Sequence, residues 1–154
     1  MSEVTDYRII SLNLGREYYG IDLFDIISII RYNGITPVPL TNRIFLGVIN
    51  VRGLIIPVVS LRRFLGFPDV PFDEETRIVI VQDEDKQQLA FLADRVNDVV
   101  AVEDDKYSDE VSDTIENRQF IKGILKTDTD LISILNLSAV FEYIGSIKEQ
   151  NRYV

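Results

Sequence analysis

The chain repeats its own plan of short apolar segments, and this internal duplication limits the folds it can adopt more than any other feature. Segments of the first half match segments of the second at an offset of about 70 residues early in each half and of 76 farther on. The matching pairs are 8–12 with 77–81, 26–30 with 96–100, 47–49 with 123–125, and 57–61 with 133–137. We therefore expect two halves built on one structural plan.

Each half consists of apolar runs of four to six residues that are rich in Ile and Val and bounded by Gly, Pro, Asn or Asp. Such runs are typical of short β-strands, and the spacing of apolar residues that marks a helix is nearly absent. The sequence thus predicts an all-β fold with ten strands, near residues 7–14, 17–22, 26–32, 45–51, 54–60, 77–83, 87–92, 96–102, 120–126 and 130–135.

A short helix is predicted after the fifth strand of each half. Ser60 is a suitable N-cap for LRRFL, which Gly66 ends. Asn136 takes the same position before LSAVFEYI, which predicts a helix over 137–144. Only the second of these segments is long enough to form more than one or two turns.

Acidic residues dominate the charge, with 25 Asp and Glu against 16 Lys and Arg and a net charge of −9. This charge repels phosphate backbones and anionic lipid headgroups, so we expect neither nucleic acid nor a membrane surface as partner. The acidic run 66–76 contains prolines and predicts an exposed connection between the halves, and the run 103–113 predicts a long mobile loop. No signal segment or spanning apolar run is recognisable, which favours a cytoplasmic protein.

Few chemical groups in this chain suit catalysis. Cys and His are absent, which removes thiol nucleophiles, Cys/His zinc sites and the commonest general base. No glycine-rich phosphate-binding motif occurs. The acidic pairs Asp22 with Asp25 and Asp94 with Asp98, and the run 103–105, could act in hydrolysis, but such pairs arise by chance among 25 carboxylates. We predict no catalytic residue, no cofactor and no metal site.

Most of the remaining apolar residues are expected in the core. The predicted core residues are Phe45, Leu54, Ile56, Val58, Ile78, Ile80, Phe91, Val96, Ile132 and Ile134. Tyr18, Tyr19 and Tyr32 could instead line the rim of an interface, because their hydroxyl groups need water or a partner.

Arg52 interrupts this apolar pattern at the predicted turn between the strands 45–51 and 54–60. A solvated turn residue is the ordinary explanation for an arginine at such a place. The surrounding sequence suggests more: the order EYYGIDLFDIISII, then ITPVP, then FLGVINVRGLIIPVVSLRRFLG resembles the CheW family of bacterial chemotaxis coupling proteins. The resemblance covers about residues 7–144, and INVRG stands where the family usually has N-L-R-G.

The resemblance implies a fold of two intertwined five-stranded SH3-like barrels with a short C-terminal helix. The implied single domain spans 1–154, with the first barrel at 15–70 and the second at 7–14 plus 76–145. It further implies a non-catalytic adaptor that joins the cytoplasmic tip of a methyl-accepting chemoreceptor to the regulatory domain of a CheA-type histidine kinase. The residues that contact the kinase are not identified by the sequence.

By the same resemblance, the helical hairpin of the receptor is expected in an apolar groove beside the third strand and the N-L-R-G turn. An arginine at the rim of such a groove can orient a helix through its carboxylates. The positions carried over from the family are Ile26, Ser28, Gly47, Asn50, Val51, Arg52 and Gly53.

Two positions depart from the family pattern, and alternatives stay open. Ser28 replaces a Glu that is common in the third strand, while Ser60 replaces an Asp whose capping role Ser can share. Losing a carboxylate in the groove favours a related adaptor in another two-component pathway with a different receptor. A small-ligand-binding barrel, or a hydrolase that uses Asp22 and Asp94, is the alternative from a different class.

Overall fold

The computed structural model describes residues 6–39 and 42–151; the predicted domain also includes residues outside these ranges. Eleven strands and two α-helices follow one another in this part of the chain. They are β1 (Arg8–Leu14), β2 (Glu17–Asp22), β3 (Ile26–Arg31), β4 (Phe45–Val51), β5 (Leu54–Ser60), α1 (Leu61–Leu65), β6 (Arg77–Gln82), β7 (Gln88–Ala93), β8 (Arg95–Ala101), β9 (Tyr107–Ser108), β10 (Ile121–Lys126), β11 (Leu131–Leu135) and α2 (Leu137–Asn151). The all-β prediction and its ten strands are confirmed.

The strands form two sheets of equivalent order. The five-stranded sheet runs β3-β6-β7-β5-β4, and the six-stranded sheet runs β8-β1-β2-β11-β10-β9. Replacing each strand of the first order by its counterpart in the other half gives the second order, with β9 added at the edge. Each sheet contains one parallel pair, β5 with β7 and β2 with β11, and all other pairs are antiparallel. The duplication seen in the sequence is therefore a duplication of topology.

The first two strands of each half lie in the sheet of the other half. β1 and β2 pair within the six-stranded sheet, and β6 and β7 lie within the five-stranded sheet. This grouping differs from the predicted subdomains 15–70 and 7–14 plus 76–145, because β2 belongs to the second sheet and 77–93 to the first. Apolar alternation shows which side of a hairpin is buried, but not which sheet the hairpin joins.

The acidic run 103–113 is not an uninterrupted loop, and the prediction is wrong at Tyr107 and Ser108. These two residues form β9, which pairs with Ile124 and Leu125 of β10. The corresponding place in the first half is an isolated bridge between Thr36 and Val48. In the first half the segment after β3 thus pairs with β4, and in the second half the segment after β8 pairs with β10. These pairings link the strands at the two sides of each sheet.

Three clusters of buried side chains form the core. The largest contains residues of both sheets and of α2, for example Leu12, Val79 and Val140, while each sheet has a smaller cluster of its own. Eight of the ten predicted core residues are buried: Phe45, Ile56, Val58, Ile78, Ile80, Phe91, Ile132 and Ile134. Leu54 was wrongly placed in the core, since it is 50% exposed at the start of β5, and Val96 is only partly buried.

Tyr19 corrects a second prediction. It is buried rather than at a rim, and its hydroxyl donates to the Glu17 carboxylate at 2.9 Å. Burial raises the pKa of Tyr19, and this hydrogen bond raises it further by a smaller amount. Tyr18 and Tyr32 are half-buried.

The two helices begin where the sequence predicts. The Ser60 hydroxyl accepts a hydrogen bond from the backbone N–H of Arg63 at 3.1 Å, and Gly66 ends α1 with φ 88°. The capping role expected of Ser60 is therefore confirmed. α2 continues beyond the predicted 137–144, to Asn151. No helix in the described part of the chain is long and apolar enough to cross a bilayer.

Candidate functional site

The hairpin between β4 and β5 turns through two residues in left-handed conformation. Val51 pairs with Leu54, so that Arg52 (φ 53°) and Gly53 (φ 86°) are the central residues of the turn. Positive φ at both central positions is the geometry of a type I′ turn, whose twist matches that of the two strands. The Asn50 side-chain oxygen fixes the turn by accepting the Gly53 N–H at 2.9 Å.

Arg52 is exposed at the tip of this turn and forms no hydrogen bond or ion pair with the described residues. The left-handed conformation costs an L-residue about 1–2 kcal/mol, and Asn or Gly is the usual solution at this position. Arginine therefore occupies a position whose backbone conformation disfavours it, and its guanidinium binds no partner among the described residues.

Two aliphatic side chains extend the tip. Leu54 is 50% exposed and Ile55, which pairs with Asn50 across the hairpin, is 57% exposed. We call residues 50–55 the apex. The sequence analysis assigned Leu54 to the core and did not single out Ile55. The two adjacent apolar residues break the alternation of a half-buried strand, and that break is the signal which could have revealed them.

The predicted residues of β3 lie on its more buried side. Ile26 and Ser28 are half-buried, whereas Ile27 is 50% exposed and Ile29 is 37% exposed. We call Ile27 and Ile29 the β3 face. Phe24, two residues before the strand, is 86% exposed. The apolar surface on this edge strand therefore consists of residues adjacent to those the resemblance named.

Gly47 is buried in β4, the strand that leads to the apex. It lies at a bulge with φ 147°, and a Cβ atom there would overlap the carbonyl oxygen of Thr36. Of the other predicted residues, Val51 packs on the small cluster of the five-stranded sheet, while Ile26 packs on the largest cluster. The structure thus unites Asn50, Arg52 and Gly53 at the apex and places Ile26 in a different part of the core.

One carboxylate of each pair considered for catalysis, Asp22 and Asp94, has a structural partner. Asp22 receives the Lys122 ammonium at 2.6 Å and a hydrogen bond from the Tyr7 hydroxyl. Burial, strengthened by the Asp22 hydrogen bond, raises the pKa of Tyr7. Burial also raises the pKa of Asp25, with a further rise from the Asp22 charge.

Asp94 joins three elements. It accepts the Arg62 Nε–H at 2.9 Å and the Gly15 N–H at 2.7 Å, and so ties α1 and the β1–β2 turn to the β7–β8 turn. Burial favours a raised pKa for Asp94, but the hydrogen bonds from Arg62 and Gly15 outweigh it and lower the pKa. Within the described residues, no group of three or more carboxylates is arranged to hold a metal ion.

The duplicated β-barrel body, the exposed arginine at a hairpin apex and the pairing of Asp22 and Asp94 with internal cations suit a module that binds other proteins. The comparison with known proteins identifies its family. The CheW-like domain matches residues 8–144, so the chain belongs to the CheW family of chemotaxis adaptors. The recognition made from the sequence is confirmed.

The chain is similar to curated relatives over most of their length. It is 34% identical to the chemotaxis protein CheW of Thermotoga maritima, over 94% of this chain and 93% of the relative. It is 29% identical to CheW of Bacillus subtilis, over 90% and 88%. The crystal structure of the scaffolding protein TtCheW from Thermoanaerobacter tengcongensis superposes with a TM-score of 0.78 at 31% identity and covers 86% of each chain. The predicted SH3-like barrel fold is confirmed, with six strands rather than five in one sheet.

Proposed function

We propose that the chain couples the cytoplasmic tips of methyl-accepting chemoreceptors to the regulatory domain of a CheA-type histidine kinase, in the cytoplasm and without catalysis. Its membership of the CheW family supports both partners. The observation that supports the receptor contact concerns Arg52. Its guanidinium is exposed and has no partner among the described residues, and its backbone conformation favours glycine. The kinase-contacting residues stay unassigned.

The proposed receptor-binding surface is centred on the apex. Asn50 and Gly53 shape the turn, Arg52 supplies the charge, and Leu54 and Ile55 supply apolar area. A receptor helix can bury side chains spaced three and four residues apart against these aliphatic groups while one of its carboxylates binds the guanidinium. The β3 face adds further apolar area, and the half-buried Ile26, Ser28 and Val51, with the buried Gly47, hold these surfaces in position.

Ser28 favours a second candidate, a CheW-like adaptor that serves another two-component pathway. It lies on β3 between Ile27 and Ile29 and cannot pair with a receptor cation as a glutamate would. The fold and the mode of binding are the same in this candidate, and only the receptor differs. A pull-down from native lysate, with identification of the bound receptor and kinase, distinguishes the two.

Charge reversal at the apex tests the receptor contact. We expect Arg52→Glu to abolish co-sedimentation with receptor fragments and to change the free energy of unfolding by less than about 0.5 kcal/mol, because the side chain is exposed and unpaired. Lys126→Glu is the matched control, since Lys126 is an exposed cation beside the corresponding turn of the other half. Retained co-sedimentation of Arg52→Glu, or equal loss with Lys126→Glu, contradicts the assignment.

A further inference from the structure

The connection between the two halves covers a cavity of about 500 Å³. Its walls come from residues 69–73 and Thr76 of the connection on one side, and from the ends of β4, β5 and β7 with Arg62, Arg63 and Asp94 on the other. The apolar lining residues are Leu46, Val70, Pro71, Phe72 and Leu92. Cavities of this size with mainly apolar walls and a few polar groups are typical of binding sites. We call this cavity the furrow.

The furrow is formed in advance because the connection is fixed at both ends. The Arg63 guanidinium holds the Asp69 carboxylate at 2.9 Å, and Arg62 donates to the Pro68 carbonyl at 2.8 Å. At the other end, the Asp73 N–H donates to the Thr76 hydroxyl at 2.9 Å. A partner would therefore meet an ordered wall and would not have to order the loop on binding.

The wall keeps apolar side chains in contact with solvent. Val70 is 40% exposed and Phe72 is 46% exposed, although neither is needed to close the large core. The Phe72 ring packs on the Tyr32 ring with 4.5 Å between their centroids, which holds the phenylalanine in place beside the furrow. Burial of such side chains by a partner is favourable, because it removes apolar surface from water.

The charges beside the furrow select a cationic partner. Arg62 and Arg63 are already paired with Asp94 and Asp69. By contrast, residues 73–75 are three consecutive carboxylates that form no ion pair with the described residues. The negative charge of the whole chain adds to this local excess. The Asp73 carboxylate lines the cavity and accepts hydrogen bonds from the Glu75 N–H and the Thr76 hydroxyl, but it is paired with no cation among the described residues. An anionic ligand would be repelled, whereas Lys or Arg side chains could pair with the carboxylates of residues 73–75 next to an apolar wall.

From these features we propose that the furrow binds a peptide segment of a partner protein that carries a large apolar side chain flanked by Lys or Arg. The apolar group enters the cavity against Val70 and Phe72, and the cations bind residues 73–75. This site is separate from the apex: Leu46 lies near the start of β4 and Val51 at its end, about 16 Å apart at the rise of an extended strand, and the turn with Arg52 lies beyond Val51. It stands or falls independently of the proposed receptor contact.

A tryptophan reporter tests the proposal in the full chain. The sequence contains no Trp, so Phe72→Trp introduces a single fluorophore at the furrow, and Leu131→Trp places one on an exposed residue of the six-stranded sheet as the matched control. The probe is a synthetic amphipathic peptide of Leu and Lys at helical spacing. We expect a saturable blue shift of the Phe72→Trp emission and none with Leu131→Trp. A second peptide with Glu in place of each Lys should have no effect.

Two further variants separate the apolar and the charged contributions. In the Phe72→Trp background, Val70→Ser should weaken the Leu and Lys peptide about tenfold, because one aliphatic contact is lost. Neutralisation of residues 73–75 to Asn and Gln should weaken it further and should reduce its dependence on salt. Amide NMR shifts of the unaltered chain give an independent measurement and should be confined to residues 69–76 and to the ends of β4 and β7.

Several results would overturn the proposal. They are an equal response of the Leu131→Trp reporter, equal binding of the Glu peptide, or NMR shifts spread over the whole surface. A blue-shifted emission that depends on protein concentration without peptide would assign the furrow to a second copy of the chain instead.

Discussion

Arg52 combines an unfavourable backbone conformation with an exposed, unpaired charge, and the two properties can be measured separately. We expect Arg52→Gly to raise the free energy of unfolding by about 0.5–1 kcal/mol, since glycine accepts φ 53° without strain but has more freedom in the unfolded chain. The same variant should lose receptor binding. Chemical denaturation and co-sedimentation measure the two effects.

Lys86 provides the control for this substitution. It is an exposed cation with φ 64° in the turn between β6 and β7, away from the apex. Lys86→Gly should give the same gain in stability and leave receptor binding unchanged. If Arg52→Gly were less stable than the parent chain, the guanidinium would have a structural partner and the argument for its role in binding would fail.

Asp25 and Asp94 should affect the pH dependence of stability with opposite signs. The raised pKa of Asp25 means that its stabilising contribution is greatest below the pKa of the unfolded chain and is lost as the pH rises through the folded pKa. Asp25→Asn should therefore raise the melting temperature at neutral pH, with no gain in acid.

Asp94 has a lowered pKa, so its contribution exists above the unfolded pKa and is lost as the pH falls through the folded pKa. Asp94→Asn should lower the melting temperature at neutral pH, and the deficit should shrink in acid. Equal pH profiles for the two variants would contradict both assignments.

The sequence predicted the apex residues better than it predicted the surface around them. The turn over residues 50–53 was identifiable because turn chemistry is local and depends on neighbouring residues, whereas its assignment to receptor binding came from the family resemblance. The exposure of Leu54 and Ile55 was missed although these residues break the alternation of a half-buried strand, and the β3 face was missed because an aliphatic residue can lie in a core or on an exposed edge. The ion pairs of Asp22 with Lys122 and of Asp94 with Arg62 join residues far apart in the chain, and nothing local predicts them.

At the level of elements, β4 and its counterpart β10 each have a glycine at the same bulge, and the two glycines are covered by different groups. Gly47 lies beneath the Thr36 backbone, whereas Gly123 lies beneath the Tyr107 ring. A backbone oxygen cannot move aside as a side chain can. We expect Gly47→Ala to cost about 3 kcal/mol of unfolding free energy and Gly123→Ala about 1 kcal/mol. Denaturant titration of the two variants provides the comparison.

Tyr107 offers a direct check on this difference. In a Tyr107→Ala background the overlap is absent, so Gly123→Ala should then cost almost nothing. No side-chain deletion relieves Gly47→Ala in the same way. Equal costs for the two alanine variants would show that the covering groups do not decide the penalty.

At the scale of the whole molecule, the duplication was visible in the sequence while the exchange of hairpins was not. The offsets of about 70 and 76 residues correctly paired β1 with β6 and β4 with β10 as counterparts. Two similar barrels side by side, or two barrels that exchange their first hairpins, would have the same repeats and the same alternation. The strand pairs that join the two halves distinguish the second arrangement: β1 with β8, β3 with β6, β2 with β11 and β5 with β7.

This exchange predicts that the two sheets unfold together. Each sheet contains strands of both halves, and the largest core cluster includes Leu12 of one sheet and Val79 of the other, so neither sheet keeps its packing when the other opens. Tyr18→Trp reports on the six-stranded sheet and Tyr32→Trp on the five-stranded sheet, since both tyrosines are half-buried. The two reporters should give the same urea midpoint, as a two-state transition requires.

Gly47→Ala makes the test stricter, because it weakens the five-stranded sheet alone. If the sheets form one cooperative unit, this substitution should lower the midpoints of the Tyr18→Trp and Tyr32→Trp reporters by the same amount. A shift confined to the Tyr32→Trp reporter would mean that the sheets unfold separately and that the exchanged hairpins do not couple them. Because a receptor at the apex would contact only one sheet, equal midpoints would also mean that its binding stabilises both.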